Sequence, residues 1–337
     1  MASCEYPVLY SVCVNMREKV ELTDCCVLLI ATSMPSMPSM PSMPSMTIGY
    51  ADDIGDGRVQ QDRLSISPDN NRVALCDGHG LYGHDYAQAA CDFLMANPME
   101  DTGRLFSLTN AHLKDRFGDK GGGTTCTYVT FDADQKMTVS NIGDSSVRYW
   151  DSAGSGVGVT TDHCSTRLDE FMRIRNAGGC CIFDDQHGRY PKGQQSVFLP
   201  GDFFFAFNAG GGNYHKNCRK EWATYFTTPT RSASLAVTRS FGDWGLVPYG
   251  LIHDPAVRVV VPPPTSATRA VVIASDGLWD CMLDTDIGDI VRRTAFLESR
   301  DATGAAEALL AYALLAGRRM YGPDQDNTSV IVAYLSL

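Results

Sequence analysis

From residue 47 onward, short runs of β-branched and other apolar residues alternate with turn residues. Runs of this length, bounded by Gly, Asp or Asn, are typical of strands. They are MTIGYA, RVALCD, TTCTYVTF, KMTVSNIGD, SVRYW, RAVVIASD and SVIVAYL. The strands come in consecutive runs and the helical stretches are set apart from them. This order favours an antiparallel α+β architecture over alternating βαβ units.

Helical spacing of apolar residues interrupts the strands in three places. In the segment HDYAQAACDFLM, one helix face is predicted to contain Tyr86, Ala90, Phe93 and Leu94. In the segment LDEFMRIRNAGG, one helix face is predicted to contain Leu168, Phe171, Met172 and Arg175. We expect Gly178 to end this second helix, because glycine is common just after a helix C-terminus. The third helix, GAAEALLAYALLAG, is expected to end at Gly317.

The N-terminal part of the chain differs in character from the rest. Residues 33–46 read SMPSMPSMPSMPSM, and proline at every third position blocks both helix and strand pairing. We therefore expect a linker or surface loop there, between an N-terminal segment 1–32 and a main domain 47–337. Within that domain, residues 180–230 are rich in Gly, aromatic and turn residues, which predicts an elaborated insertion.

Composition narrows the class of protein. The net charge is −11, which disfavours binding to nucleic acid or to an anionic membrane. The twelve cysteines include no CxxC pair, so we expect reduced thiols rather than a zinc site. The longest apolar run near the N-terminus, CCVLLIA, is too short to span a bilayer, and no signal peptide is recognisable. We expect an intracellular monomer in the cytoplasm or the nucleus.

Aspartates mark the ends of several predicted strands, namely Asp62, Asp77, Asp144, Asp276 and Asp326. A single aspartate at a strand end is usually a turn residue or a cap, but five of them suggest carboxylates that converge in one cleft. Clustered carboxylates repel one another and need cations. Sites made only of oxygen ligands suit Mg²⁺ or Mn²⁺, and a pair of such ions is the clamp used in phosphoryl hydrolysis.

The stretch ALCDGHG at residues 74–80 adds two candidates beside Asp77. Gly78 lacks a Cβ, so its backbone carbonyl could approach an ion closely. His79 is suited to donate a proton to a leaving oxygen at the rim of the site.

These motifs resemble those of the metal-dependent serine/threonine protein phosphatases of type 2C. The similar segments fall in family order over residues 47–337. They are DGHG at 77–80, GGTTCTYV at 122–129, NIGDSS at 141–146, TDHCSTRLDEFMRIRNAGG at 161–179, LAVTRSFGD at 235–243, ASDGLWD at 274–280 and DNTSVIV at 326–332.

The resemblance implies a β-sandwich of two antiparallel sheets flanked by helices on both faces, a four-layer αββα fold. It implies that Asp77 bridges two Mn²⁺ or Mg²⁺ ions, and that the second ion also binds the Gly78 carbonyl and has Asp62 beside it. Asp276 and Asp326 would hold the first ion, and Asp144 with Asp276 a weaker third. His79 would be the general acid, and a metal-bound water would attack the phosphorus of phosphoserine or phosphothreonine directly in phosphorylated protein substrates.

The sequence departs from the family pattern in four places. Residues 180–230 form a stretch much longer than the family's usual flap segment. Gln61 stands where an acid is common, which would weaken the second ion. Ser146 stands where arginine is usual. Arg58 is the best candidate for holding the substrate phosphate through its planar guanidinium, although its spacing to Asp62 is one residue shorter than the common pattern.

Three alternatives compete with an active metal-dependent phosphatase. A cysteine-nucleophile phosphatase would use His163-Cys164, but it needs an arginine six positions after the cysteine, where this chain has Glu170. A pseudophosphatase of the same fold would act as a binding or regulatory module, and Gln61 is the main feature in its favour. An unrelated all-β interaction protein would use the aspartates only as turn residues.

Overall fold

The computed structural model describes residues 45–57, 59–118, 120–151, 156–165, 167–184, 196–197, 223–261, 269–296, 301–323 and 325–336. The N-terminal segment 1–32, most of the repeat 33–46 and most of the predicted insertion 180–230 lie outside the described residues. The first strand, β1 (Ser45–Asp53), already includes the last two residues of the repeat, which pair with the C-terminal strand of the domain.

Two five-stranded antiparallel sheets form the centre of the fold. The first sheet has the strand order β1, β17 (Thr328–Ser336), β16 (Arg269–Ala274), β8 (Ser146–Trp150) and β9 (Gly156–Gly158). The second sheet has the order β15 (Ala256–Val260), β7 (Met137–Ile142), β6 (Cys126–Phe131), β3 (Arg72–Cys76) and β2 (Arg63–Ile66). All seven strands predicted from the sequence lie in these two sheets.

The described helices are α1 (Gly83–Ala96), α2 (Thr102–Phe117), α3 (Leu168–Asn176), α4 (Asp276–Trp279), α5 (Asp284–Phe296) and α6 (Ala302–Tyr321). In the described part of the chain, none of them combines the length and the apolar character that a membrane crossing requires. The described cysteines carry free thiols.

Three apolar cores lie between the layers of the fold. Between the sheets, alternate strand residues such as Val73, Val139 and Ile331 pack together. The other face of the second sheet packs against α1 and α2, with Tyr128 of β6 in that core. The other face of the first sheet packs against α4, α5 and α6, with Trp150 of β8 in that core. The predicted α+β sandwich with helices on both faces is therefore confirmed.

Two small sheets complete the described chain. One contains β4 (Gly78–His79), β5 (Gly123–Thr124) and β14 (Phe241–Gly242). The other contains β10 (Cys180–Asp184), β11 (Ser196–Val197), β12 (Ala223–Thr227) and β13 (Ser234–Leu235). The helix α3 packs on this second small sheet through Phe171 and Ile174, which contact the core around Phe226.

Three helices, α2, α4 and α5, were not predicted, and one predicted helical face is wrong. α2 and α5 were missed although their buried residues follow helical spacing, as Ile287, Ile290 and Val291 do in α5. Asp101 also caps α2 by accepting a hydrogen bond from the Arg104 backbone N–H. In α3 the buried residues include Phe171 and Ile174, whereas Leu168 and Met172 are 52% and 44% exposed. The buried side of α3 instead includes Glu170, which accepts hydrogen bonds from Arg173 and Arg239.

Candidate metal centre

Asp77 is fixed at the point where β3 gives way to β4. Its carbonyl oxygen accepts hydrogen bonds from the Thr125 backbone N–H at 2.8 Å and from Thr124 Oγ1 at 3.0 Å. Its own backbone N–H donates to Thr125 Oγ1 at 3.2 Å. The backbone on both sides of the Asp77 carboxylate is therefore held by the neighbouring strand.

Asp144 lies in the tight turn between β7 and β8. The preceding Gly143 has a φ of +96°, and a Cβ at that position would lie 2.5 Å from the Thr125 side chain. The Gly143 N–H donates to His163 Nδ1 at 3.1 Å, and the His163 N–H donates to the Gly143 carbonyl at 2.9 Å. Burial lowers the pKa of His163 to about 3, so its ring is neutral and can accept this bond. His163 therefore supports the Asp144 turn.

Asp276 and Asp62 are joined through Ser275. Asp276 opens α4 directly after β16, and Gly277 behind it packs so closely that a Cβ would lie 2.3 Å from the Asn327 carbonyl. Ser275 Oγ donates to Asp62 Oδ2 at 2.8 Å. Asp62 is only 3% exposed, so this carboxylate is buried next to the residue that precedes Asp276.

The carboxylates converge as the strand ends predict. One oxygen each from Asp77, Asp144 and Asp276 lies within 4.8 Å of the other two. Burial raises the pKa of Asp77 well above its ordinary value, and the neighbouring charges raise it further. Those neighbours are Asp62, Asp276, Asp326 and Asp144. The charges of Asp62 and Asp326 are thus close enough to act on Asp77, and Asp326 is exposed and lies just before β17.

The surroundings of Asp62 favour a cation beside its carboxylate. Burial raises the pKa of Asp62 to about 6, although the Ser275 and Ser329 hydroxyls lower it and Asp276 adds to the rise. No hydrogen-bond donor among the described residues reaches Asp62 Oδ1, which is buried. Buried carboxylates with raised pKa values and an unsatisfied oxygen are stabilised by a cation. The all-oxygen donor set therefore fits a hard divalent ion such as Mg²⁺ or Mn²⁺.

Gly78 and His79 follow Asp77 in β4. A Cβ on Gly78 would lie 2.3 Å from the Gly83 carbonyl at the start of α1, so packing against that helix requires a glycine here. His79 Nε2 lies 2.6 Å from Asp243 Oδ2, and Ser240 Oγ donates to the same oxygen at 2.7 Å. Burial lowers the pKa of His79, but the Asp243 carboxylate outweighs this and the net pKa is raised.

Asp243 is a site residue that sequence reasoning missed. It closes the segment LAVTRSFGD, whose residues contributed to the family resemblance without a role being assigned to this acid. Its φ is +46°, which is uncommon outside glycine. A Cβ on Gly123 would lie 2.1 Å from Asp243 Oδ2, so the glycine leaves the space that this carboxylate occupies.

Other predicted site residues have different outcomes. Arg58 lies outside the described residues. Gln61 directs its side-chain amide to the Gly80 carbonyl, with Nε2 donating at 2.8 Å. Cys164 is 5% exposed, and the nearby Glu170 accepts hydrogen bonds from Arg173 and Arg239. The Cys164 thiol is buried, and the position where the cysteine-nucleophile chemistry needs an arginine holds the acid Glu170, which argues against that alternative.

Comparison with known proteins agrees with this arrangement. The family model "Protein phosphatase 2C" matches residues 100–320, which is more than half of the chain. A probable protein phosphatase 2C 44 from Oryza sativa subsp. japonica is 26% identical over 272 residues, covering 78% of this chain and 69% of the relative. A mitochondrial protein phosphatase 1K from Xenopus laevis is 23% identical, covering 85% of this chain and 68% of the relative.

Solved structures show the same fold. The crystal structure of a serine-threonine phosphatase 2C from Toxoplasma gondii aligns with a TM-score of 0.62 at 19% identity, over 88% of this chain and 96% of that one. A sex-determining protein of C. elegans aligns with a TM-score of 0.62 at 20% identity, over 86% of this chain and 64% of that one. The chain belongs to the protein phosphatase 2C family, a family of serine/threonine phosphatases.

Proposed function

We propose that this chain hydrolyses phosphoserine and phosphothreonine in proteins by a metal-dependent reaction. The observation that supports this best is the convergence of Asp77, Asp144 and Asp276, whose oxygens lie within 4.8 Å of one another. Burial and repulsion between the carboxylates raise the pKa values of Asp77 and Asp62. A bound cation would offset both effects, so the site favours positively charged ligands.

The donor groups divide into three proposed sites, of which the first two share Asp77. Asp276 and Asp326 would hold one Mn²⁺ or Mg²⁺ ion with Asp77. The Gly78 carbonyl and Asp62 would serve the second ion, and Asp144 with Asp276 a weaker third. When bound, such ions neutralise phosphate charge and make water a stronger nucleophile at neutral pH.

Residues of this chain supply orientation and a proton. His79 stands at the rim, and its Nε2 is held by Asp243, so its ring orientation is fixed before a substrate arrives. A protonated His79 would give its proton to the leaving serine or threonine oxygen, which is a poor leaving group without one. The proposed phosphate-holding residue is Arg58, on the strength of the sequence alone.

The pseudophosphatase alternative rests on Gln61. This residue is neutral, and its amide is already engaged by the Gly80 carbonyl, so it brings no charge to the second ion. The five aspartates that would hold the ions are nevertheless all present, and the oxygens of Asp77, Asp144 and Asp276 lie within 4.8 Å of one another. We therefore favour an active enzyme in which the second ion binds more weakly.

Hydrolysis of a small aryl phosphate with and without Mn²⁺ tests the proposal. We expect turnover in Mn²⁺, loss of turnover in excess chelator, and loss in Asp276→Asn with the fold retained by circular dichroism. Cys164→Ser serves as the matched control and should remain active. Full activity in chelator would contradict the proposal, and loss only in Cys164→Ser would favour the thiol mechanism.

A further inference from the structure

A charged side chain occupies a position in the apolar core between the two sheets. Alternate residues of a strand point to the same face of its sheet, and in β16 the residues Val271 and Ile273 pack in that core. Arg269 begins β16 two positions before Val271, so its side chain points to the same face. It is only 5% exposed. A guanidinium therefore lies where the fold otherwise buries apolar side chains.

This buried guanidinium lacks the partners that a buried charge requires. The Nε and Nη2 atoms of Arg269 are buried, and neither has a hydrogen-bond partner in the described part of the chain. Burial lowers the pKa of Arg269 and the neighbouring Tyr149 opposes this shift, but an arginine side chain stays protonated in proteins. A buried charge without a partner is strongly destabilising. The buried Glu170, in contrast, is paired with Arg173 and Arg239.

A small cavity adjoins Arg269 at this end of the sandwich. Its volume is about 20 Å³, and a cavity of roughly 10–15 Å³ already holds one water molecule. Apolar side chains from both sheets line it, namely Met137, Val260, Val271 and Leu335. The polar part of the lining is Arg269, Tyr149 and Gln135. The cavity therefore has room for one ligand that is little larger than a water molecule.

The lining fits an anion better than a neutral ligand. A guanidinium can only donate hydrogen bonds, so its occupant must accept them. Water accepts a hydrogen bond but brings no negative charge, whereas an anion offsets the buried positive charge directly. Among the described residues that line the cavity, none carries a carboxylate that would repel an anion. We infer that the cavity binds one small anion of the size of chloride, held by the Arg269 guanidinium.

The anion site is separate from the proposed metal centre. β16 has six residues, from Arg269 at the cavity to Ala274, and Asp276 follows at the opposite end. β7 has the same arrangement, because Met137 lines the cavity and Asp144 follows the far end of the strand. Six strand residues span roughly 20 Å. We therefore expect the anion to stabilise the sandwich without taking part in the reaction, so the inference does not rest on the proposed function.

Thermal unfolding of the full chain in sodium chloride and in sodium gluconate, at equal ionic strength, tests the inference. Gluconate is too large for a cavity of this volume, so it serves as the anion that does not bind. At a chloride concentration about ten times the dissociation constant, the wild-type Tm should be higher in chloride by roughly 2–6 °C.

Two variants separate the cavity from general effects of salt. Arg269→Met removes the charge and keeps an unbranched side chain. It should abolish the difference between chloride and gluconate, and in gluconate its Tm should equal or exceed that of the wild type, because it buries no unpaired charge. Arg258→Met, at an exposed position of β15, is the matched control and should keep the wild-type difference. An equal difference in the wild type and in Arg269→Met overturns the inference.

Crystals of the wild-type chain grown in sodium bromide provide a test that needs no variant. Bromide has the charge of chloride and nearly its size, and it gives an anomalous signal at the bromine edge. We expect an anomalous peak in the cavity, in contact with Nε or Nη2 of Arg269. A cavity without such a peak, or one in which a carboxylate of this chain contacts the guanidinium, overturns the inference.

Discussion

Removing the charge of Asp77 should stabilise the metal-free protein and abolish its response to metal. Asp77 lies within 4.8 Å, oxygen to oxygen, of both Asp144 and Asp276. Two like charges at this separation repel by about 3.5 kcal/mol at an effective dielectric constant of about 20. The raised pKa of Asp77 means that proton uptake already relieves part of this repulsion. We therefore expect Asp77→Asn to raise the free energy of unfolding in chelator by only about 1–3 kcal/mol.

Thermal unfolding followed by circular dichroism, in excess chelator and in excess Mn²⁺, measures both effects. In chelator the Tm of Asp77→Asn should exceed that of the wild type by roughly 2–10 °C. In Mn²⁺ at about 100 times its dissociation constant, the wild type should gain about 2.7 kcal/mol and the variant little. Asp134→Asn, an exposed aspartate outside the cluster, is the control and should respond to Mn²⁺ as the wild type does. A destabilised Asp77→Asn in chelator, or an equal Mn²⁺ response in both proteins, would refute the reasoning.

Three further predictions concern neighbouring residues. His79→Gln should slow alkyl phosphates by ~10²–10⁴-fold and nitrophenyl phosphate far less, because only the poor leaving group needs a proton; equal losses would give His79 another role. Gln61→Glu should lower the Mn²⁺ midpoint of activity while costing about 1 kcal/mol in chelator, because a carboxylate cannot donate to the Gly80 carbonyl; an unchanged midpoint would mean that the side chain does not face the ion. Burial opposes ionisation of Glu170, but Arg173 and Arg239 outweigh it and lower its pKa, so Glu170→Gln should cost about 2–4 kcal/mol at pH 7. The stabilisation by Glu170 is present at pH values above the ordinary pKa of 4.5 and is lost as the pH falls below that value. In urea unfolding, the difference in stability between the wild type and Glu170→Gln should therefore shrink on acidification. A difference that does not change with pH would contradict the assignment.

The strands of the sandwich could be predicted because their burial is regular. Runs such as RAVVIA in β16 are buried throughout, so their apolar character is continuous and bounded by turn residues. The helices were harder, because α2 buries only part of its surface and carries polar residues at most other positions. In α3 the residues Leu168 and Met172 remain exposed, so apolar spacing alone pointed to a face that the fold does not bury.

Some site residues could likewise be predicted from the sequence, whereas contacts between distant segments could not. Asp77 and Asp276 could be predicted to converge, because both end buried strands and such ends are fixed by the sheet. The contact between His79 and Asp243 joins residues 164 positions apart through a small sheet of two-residue strands. Such short strands leave no periodic signal in a sequence. The contact between Asp62 and Ser275 spans 213 positions and is likewise visible only in the folded chain.

The central claim is that these aspartates hold divalent ions, and anomalous diffraction at the manganese edge tests it directly. Crystals of the full chain grown with Mn²⁺ should give anomalous peaks bounded by the carboxylates of Asp77, Asp144, Asp276 and Asp326. Crystals of Asp77→Asn grown in the same way should lose anomalous peak height next to residue 77. A map in which the wild-type carboxylates enclose no anomalous peak, or in which the peaks lie elsewhere on the molecule, would contradict the account.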